Sequence, residues 1–120
     1  MDYTRMLCWI RPNEKKDLEV AVAGRFPLVF AKNYLNFILQ LRSDKNTYPV
    51  ISFGYCNNLI GIIRIKLLMK LFPNIIFRIC QLGADELITD RGIELMILQQ
   101  NTKNIGKILK PSNLVEDFKS

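Results

Sequence analysis

Residues 45–84, KNTYPVISFGYCNNLIGIIRIKLLMKLFPNIIFRICQLGA, hold no Asp and no Glu, and their only charges are Lys45, Arg64, Lys66, Lys70 and Arg78. An apolar segment of this kind reads as the centre of a core, with a strand, a helix and a second strand in succession. It also limits the chemistry, because no carboxylate within it can take a phosphoryl group or ligate a divalent metal. At 120 residues the whole chain, 1–120, is expected to be a single domain around one core.

The longest charge-free run, residues 46–63, contains Pro49, Gly54, Gly61, Asn57 and Asn58. The asparagine amides would be costly in hydrocarbon, so no membrane span is expected. The N-terminus, MDYTRMLCWIRPNEKK, has an acid at its second position and no unbroken apolar run before Arg11. That is not a secretory signal, and a cytoplasmic location is expected.

Cys8, Cys56 and Cys80 form no C-x-x-C pair, and their odd number argues against a disulfide framework, so reduced, buried thiols are expected. The chain has no His, which removes Ser/His and Cys/His catalysis and His-based metal sites. Its glycines are scattered singly, with no phosphate-cradling loop. The expectation is therefore a protein that is not an enzyme and needs no cofactor. A net charge of +6 permits an anionic partner. Arg64, Lys66, Lys70 and Arg78, with Lys103, Lys107 and Lys110, are the cations from which a basic patch could form. A small nucleic-acid-binding protein is accordingly the alternative function. Against it, Phe26, Phe30, Phe53, Phe72 and Phe77 fall at core-like positions and not at stacking ones.

Along the chain, TRMLCWI (4–10) reads as a buried strand closed by Pro12, and Asn13 is a plausible cap for a helix running to Phe26. FPLVFA (26–31) is a second strand. NYLNFILQLR (33–42) is a helix with Asn33 as its cap, and YPVISFGY (48–55) a third strand, with Pro49 tolerable only near its start. GIIRIKLLMKLF (61–72) alternates like a strand, but its length and the Pro73 that follows favour a helix with Lys66 and Lys70 on one solvated face. IIFRIC (75–80) is a fourth strand. RGIELMILQQ (91–100) is a helix whose apolar residues nearly encircle the axis, so it should be largely covered. IGKIL (105–109) is a fifth strand and NLVEDFK (113–119) a last helix. Strands alternating with helices imply a parallel sheet covered on both faces. Five such units make an α/β, flavodoxin-like, doubly wound (βα)5 fold.

Two stretches resemble the receiver domains of two-component response regulators. GIIRIKLLMKLFPNIIFRI (61–79) is similar to a receiver's third helix, its Phe-Pro-Asn exit and its fourth strand. KILKPSNLVEDF (107–118) is similar to the fifth strand ending in Lys-Pro and the last helix. The resemblance implies a site with two acids after the first strand, a phospho-accepting Asp ending the third, a Ser or Thr after the fourth, and a Lys after the fifth. Here the first strand ends Ile10, Arg11, Pro12, Asn13, with Glu14 the first acid, and the third-strand position falls near Ser52, Phe53 or Gly54. The Ser/Thr position matches Cys80 or Gln81, or Thr89 if the strand is placed later. Gly83, Ala84, Asp85 and Glu86 offer a competing match to the Gly-Ala-Asp that precedes the fifth strand in many receivers. Lys110 alone matches the family's catalytic set, a relic of that site with no phospho-acceptor and no metal ligands around it.

The resemblance thus implies a pseudo-receiver: a regulatory module without Asp phosphorylation that works by contact with a protein partner or a second copy. On this reading nucleic acid is a further expected partner, through an appended output domain. By the same resemblance Ile93, Met96, Lys107, Leu114 and Phe118 lie near the expected interface. A redox pair of Cys56 and Cys80 at the carboxyl edge of the sheet is a further candidate, weighed against two inert buried thiols.

Overall fold

A computed structural model of the chain describes residues 3–83, 89–101 and 103–119, with Lys107 described by its backbone alone. Five parallel strands, β1 (Arg5–Trp9), β2 (Leu28–Phe30), β3 (Thr47–Ser52), β4 (Phe77–Cys80) and β5 (Ile105–Leu109), alternate with five helices. The helices are α1 (Lys15–Val22), α2 (Tyr34–Ser43), α3 (Leu59–Leu71), α4 (Asp90–Asn101) and α5 (Pro111–Lys119). The strand order is β2-β1-β3-β4-β5, and every pairing is parallel. This is the flavodoxin-like, doubly wound fold expected from the element order.

The alternation of side chains along each strand divides the core in two. Leu7, Trp9, Ile51, Phe77 and Ile79 point to the face covered by α2, α3 and α4, where they meet Phe37, Ile62, Ile65 and Leu95. Met6, Cys8, Tyr48, Val50 and Cys80 point to the opposite face and meet Leu18 and Val22 of α1 and Leu114 of α5. β3 lies at the centre and every one of its residues is buried. Among the described residues no helix is long and apolar enough to cross a membrane.

The ends of elements depart from the expected ones, each for a local reason. α1 starts at Lys15, because Pro12–Glu14 forms a single 3-10 turn first, and Asn13 is not its cap. It stops at Val22 and not near Phe26, because Ala23 and Gly24 both take left-handed backbone, with φ of 51° and 72°. Phe26 then turns inward and stacks on Phe118, ring centroids 4.2 Å apart.

β3 runs from Thr47 to Ser52, and Phe53–Cys56 is another 3-10 turn. Pro49 is the third residue of β3, opposite Leu7 of β1, at a level where pairing with β4 has not begun. α3 begins two residues early, at Leu59, because Asn58 caps it by accepting from the Gly61 N–H at 2.8 Å. Asn33 caps α2 as expected, accepting from the Asn36 N–H at 2.8 Å. α5 begins on Pro111, a residue suited to the first helical turn. α4 is not the covered helix its composition suggests. Only Gly92 and Leu95 are buried, and Ile93, Met96 and Ile97 face outward.

Candidate functional site

In an open α/β sheet of this order the crevice for ligands lies beyond the carboxyl ends of β1 and β3, where the winding reverses. Here that position is filled by the protein itself. After β1 the chain turns through Pro12–Glu14 and folds the Glu14 side chain back over the strand end, leaving it 4% exposed. Glu14 Oε1 accepts from the Arg11 backbone N–H at 3.0 Å and from Arg11 Nε at 2.9 Å, and Oε2 accepts from Arg11 Nη2 at 3.1 Å. The Ser52 hydroxyl, at the end of β3, donates to Oε1 at 2.7 Å and itself accepts from the Gly54 N–H at 3.2 Å. A buried carboxylate is stable only when its lone pairs are filled and its charge is matched, and Arg11 and Ser52 supply both.

Gly54 is part of this arrangement. A Cβ there would lie 2.2 Å from Arg11 Cζ, so the guanidinium occupies the space a side chain would need. The residues at this rim do not suit Mg²⁺, which asks for near-octahedral oxygen ligands including one or two open carboxylates. Among the described residues at this rim the one acid, Glu14, is already bound to a guanidinium, and Ser52 stands where a third-strand Asp would be needed. Among the described residues no group of three or more His, Cys, Asp or Glu side chains could hold a metal ion.

The other expected site residues are dispersed. Lys110 follows β5 on the surface, in a separate hollow beside Gln81, Leu82 and Ser112, and does not join the Arg11–Glu14–Ser52 network. Cys80 ends β4, level with Ser52, and Gln81 continues the chain. Thr89 instead caps α4, accepting from the Gly92 N–H at 3.2 Å and donating to Asn57 Oδ1 at 3.3 Å. Of the competing Gly-Ala-Asp-Glu match, Ala84, Asp85 and Glu86 lie outside the described residues.

All three cysteines are free and buried. Cys56 packs on the α3 face of the sheet and Cys80 on the α1 face, so they do not form a pair. Burial pushes the Cys56 thiol up to about 12, and burial with the nearby Glu14 carboxylate pushes Cys80 up to about 12. Neither is a thiolate nucleophile at neutral pH.

Of the expected interface residues, Leu114 is fully buried and Phe118 is packed among Phe26, Tyr3 and Tyr48. They hold α5 to the sheet, and of the two only Phe118 keeps part of its surface exposed. Ile93 and Met96 are exposed, and the Lys107 side chain lies outside the described residues.

Lys66 pairs with Glu94 across α3 and α4 at 3.7 Å. Arg78, only 9% exposed, is not a surface cation at all. Its guanidinium donates to Asp117 Oδ2 at 3.3 Å, to the Ile76 carbonyl at 2.8 Å and to the Tyr3 hydroxyl at 2.7 Å, and it stacks over the Tyr48 ring at 4.2 Å.

One concave feature escaped sequence reasoning. Beside the Glu14 network, between the carboxyl ends of β1 and β2, the first turn of α2 and the second turn of α3, lies a cleft of about 650 Å³. Trp9, Tyr34 and Tyr55 form its aromatic wall, with Trp9 and Tyr55 stacked at 4.6 Å and Tyr34 tilted against Trp9 at 5.2 Å. Arg11, Lys15, Lys32 and Arg64 surround it, and none of the described residues lining it is acidic. The signal in the sequence was an aromatic residue close to a cation at several strand and helix ends. Only the winding order makes these residues neighbours. No family model, no curated protein and no solved structure matches this chain.

Proposed function

We propose that this chain is a regulatory module with the layered plan of a receiver but without aspartyl phosphorylation, working by contact with another protein and not by catalysis. The observation that carries the reading is Glu14, whose two carboxylate oxygens are taken by Arg11 and Ser52. A receiver-type switch needs carboxylates open to a cation and a carboxylate at the end of β3, and here the rim is an internally neutralised ion pair. Ser52, the oxygen nearest that position, is buried and donates its proton to Glu14, so it is neither exposed to a phosphodonor nor activated by a free base.

Action by contact is supported by the outer face of α3. Ile60, Ile63, Leu67 and Leu71 recur there at helical spacing and are 63%, 55%, 44% and 42% exposed. Exposed Lys70 lies on the same helix and favours a partner whose contact rim is acidic.

Incubation with acetyl phosphate and Mg²⁺, followed by intact mass measurement, tests the reading. The mass is expected to stay unchanged. Stoichiometric addition of a base-labile phosphate would overturn it.

A further inference from the structure

The geometry points to the cleft between β1, β2, α2 and α3 as a binding site for a nucleoside phosphate, a planar ring carrying at least one phosphate group. This goes beyond the regulatory reading and does not depend on it. The volume of about 650 Å³ is that of a small-molecule site. Its chemistry is divided into an aromatic part and a cationic part, as such a ligand is divided into ring and phosphate.

The aromatic part is held rigid. The Tyr34 hydroxyl donates to the Arg64 carbonyl at 2.8 Å, and the Tyr55 hydroxyl donates to the Ile10 carbonyl at 3.2 Å. Trp9, 4% exposed, backs both rings. Tyr34 and Tyr55 remain partly exposed, so each offers ring surface to a ligand at little ordering cost.

The cationic part is uncompensated. Among the described residues Lys15, Lys32 and Arg64 have no carboxylate partner, in a cleft with no acid in its described lining. Arg64 lies over the Tyr34 ring of the aromatic wall at 5.3 Å, and Lys15 lies over the Phe30 ring, also in the lining, at 4.8 Å. Clustered cations in a concave, acid-free setting attract phosphate, and a guanidinium can bind it bidentately. Solvated lysines on a convex face would show neither the shared concavity nor the ring contacts.

Trp9 is the chain's one tryptophan, so its fluorescence reports on this cleft without a label. Titration with AMP and GMP should change Trp9 emission saturably, and equilibrium dialysis of AMP should give the same dissociation constant. Adenosine and inorganic phosphate, each carrying half of the recognised chemistry, should bind at least about tenfold more weakly than AMP, because each forfeits one set of contacts. Lys32→Ala with Arg64→Ala removes two exposed side chains, so the melting temperature should hold while AMP affinity falls by about tenfold or more.

Adenosine binding as tightly as AMP would overturn the anionic half of the assignment, and phosphate binding as tightly would overturn the planar half. No uptake of AMP or GMP by dialysis at millimolar concentration would overturn it entirely. Acyl-phosphate labelling would sink the regulatory reading and leave this one standing, so the two fail separately.

Discussion

Two glycines show how a single missing Cβ acts in different ways. At Gly61 a Cβ would sit 1.6 Å from the Tyr55 carbonyl oxygen, so α3 can lie against the 3-10 turn before it only with hydrogen at that position. The obstacle is backbone on both sides and has nowhere to go. Gly61→Ala is expected to destabilise the protein by more than about 3 kcal/mol, measured as a shift in urea midpoint. At Gly54 the obstacle is the Arg11 guanidinium, the far end of a long side chain. Gly54→Ala should therefore be milder, about 1–2 kcal/mol, and should act by pushing Arg11 off Glu14. If both substitutions cost the same, the Arg11–Glu14 contact does not explain Gly54. The sequence showed both residues as isolated glycines. What each makes room for follows from a neighbour brought in by folding, Tyr55 for one and Arg11 for the other.

Among the elements, α5 shows how a charged residue can belong to the core. Its apolar side, Leu114 and Val115, was visible in the pattern NLVEDFK, and so was its place after the last strand. Its attachment through charge was not. Arg78 on β4 reads in sequence as one of several cations on an acid-free stretch. In the fold it is buried between Tyr3 and Tyr48 and reaches Asp117 of α5, which also accepts from the Tyr48 hydroxyl. Removing one partner leaves the other without its match in a partly desolvated place. Arg78→Leu and Asp117→Asn are each expected to destabilise by about 2–4 kcal/mol, the Asp117 change at the lower end because that carboxylate is a third exposed. The double variant should cost less than the sum of the two, since the pair is shared. Hydrogen exchange should show α5 loosening before the β1–β3 centre does. Additive energies would mean that the two residues act separately.

For the molecule as a whole, the buried thiols set how stability changes in alkali. An unfolded Cys loses its proton near 9.0, whereas Cys56 and Cys80 in the fold hold theirs up to about 12. Raised folded values mean that the native state keeps protons the unfolded state has lost. The stabilisation is thus fully present below the unfolded value and falls as pH rises from there toward the folded one. The slope is about 1.4 kcal/mol per pH unit for each thiol. The urea midpoint should drop between about pH 9 and about pH 12, and a Cys56→Ala variant should show a shallower drop. Equal slopes in the two proteins would remove the thiol from the explanation.

The sequence by itself determined the number, type and order of the elements, and with them the parallel sheet. That information is carried by apolar periodicity, caps such as Asn33, and the stop at Pro73, all of which act over a few residues of chain. It also determined that residues 45–84 bring no carboxylate to the rim. The tertiary structure alone decided that Glu14 turns inward to Arg11 and Ser52, that Arg78 is core and not surface, and that Trp9, Tyr34, Tyr55 and Arg64 enclose one cleft. Each of these joins residues from separate strands and helices, and a side chain's partner across a sheet depends on winding order and register, which no local pattern encodes.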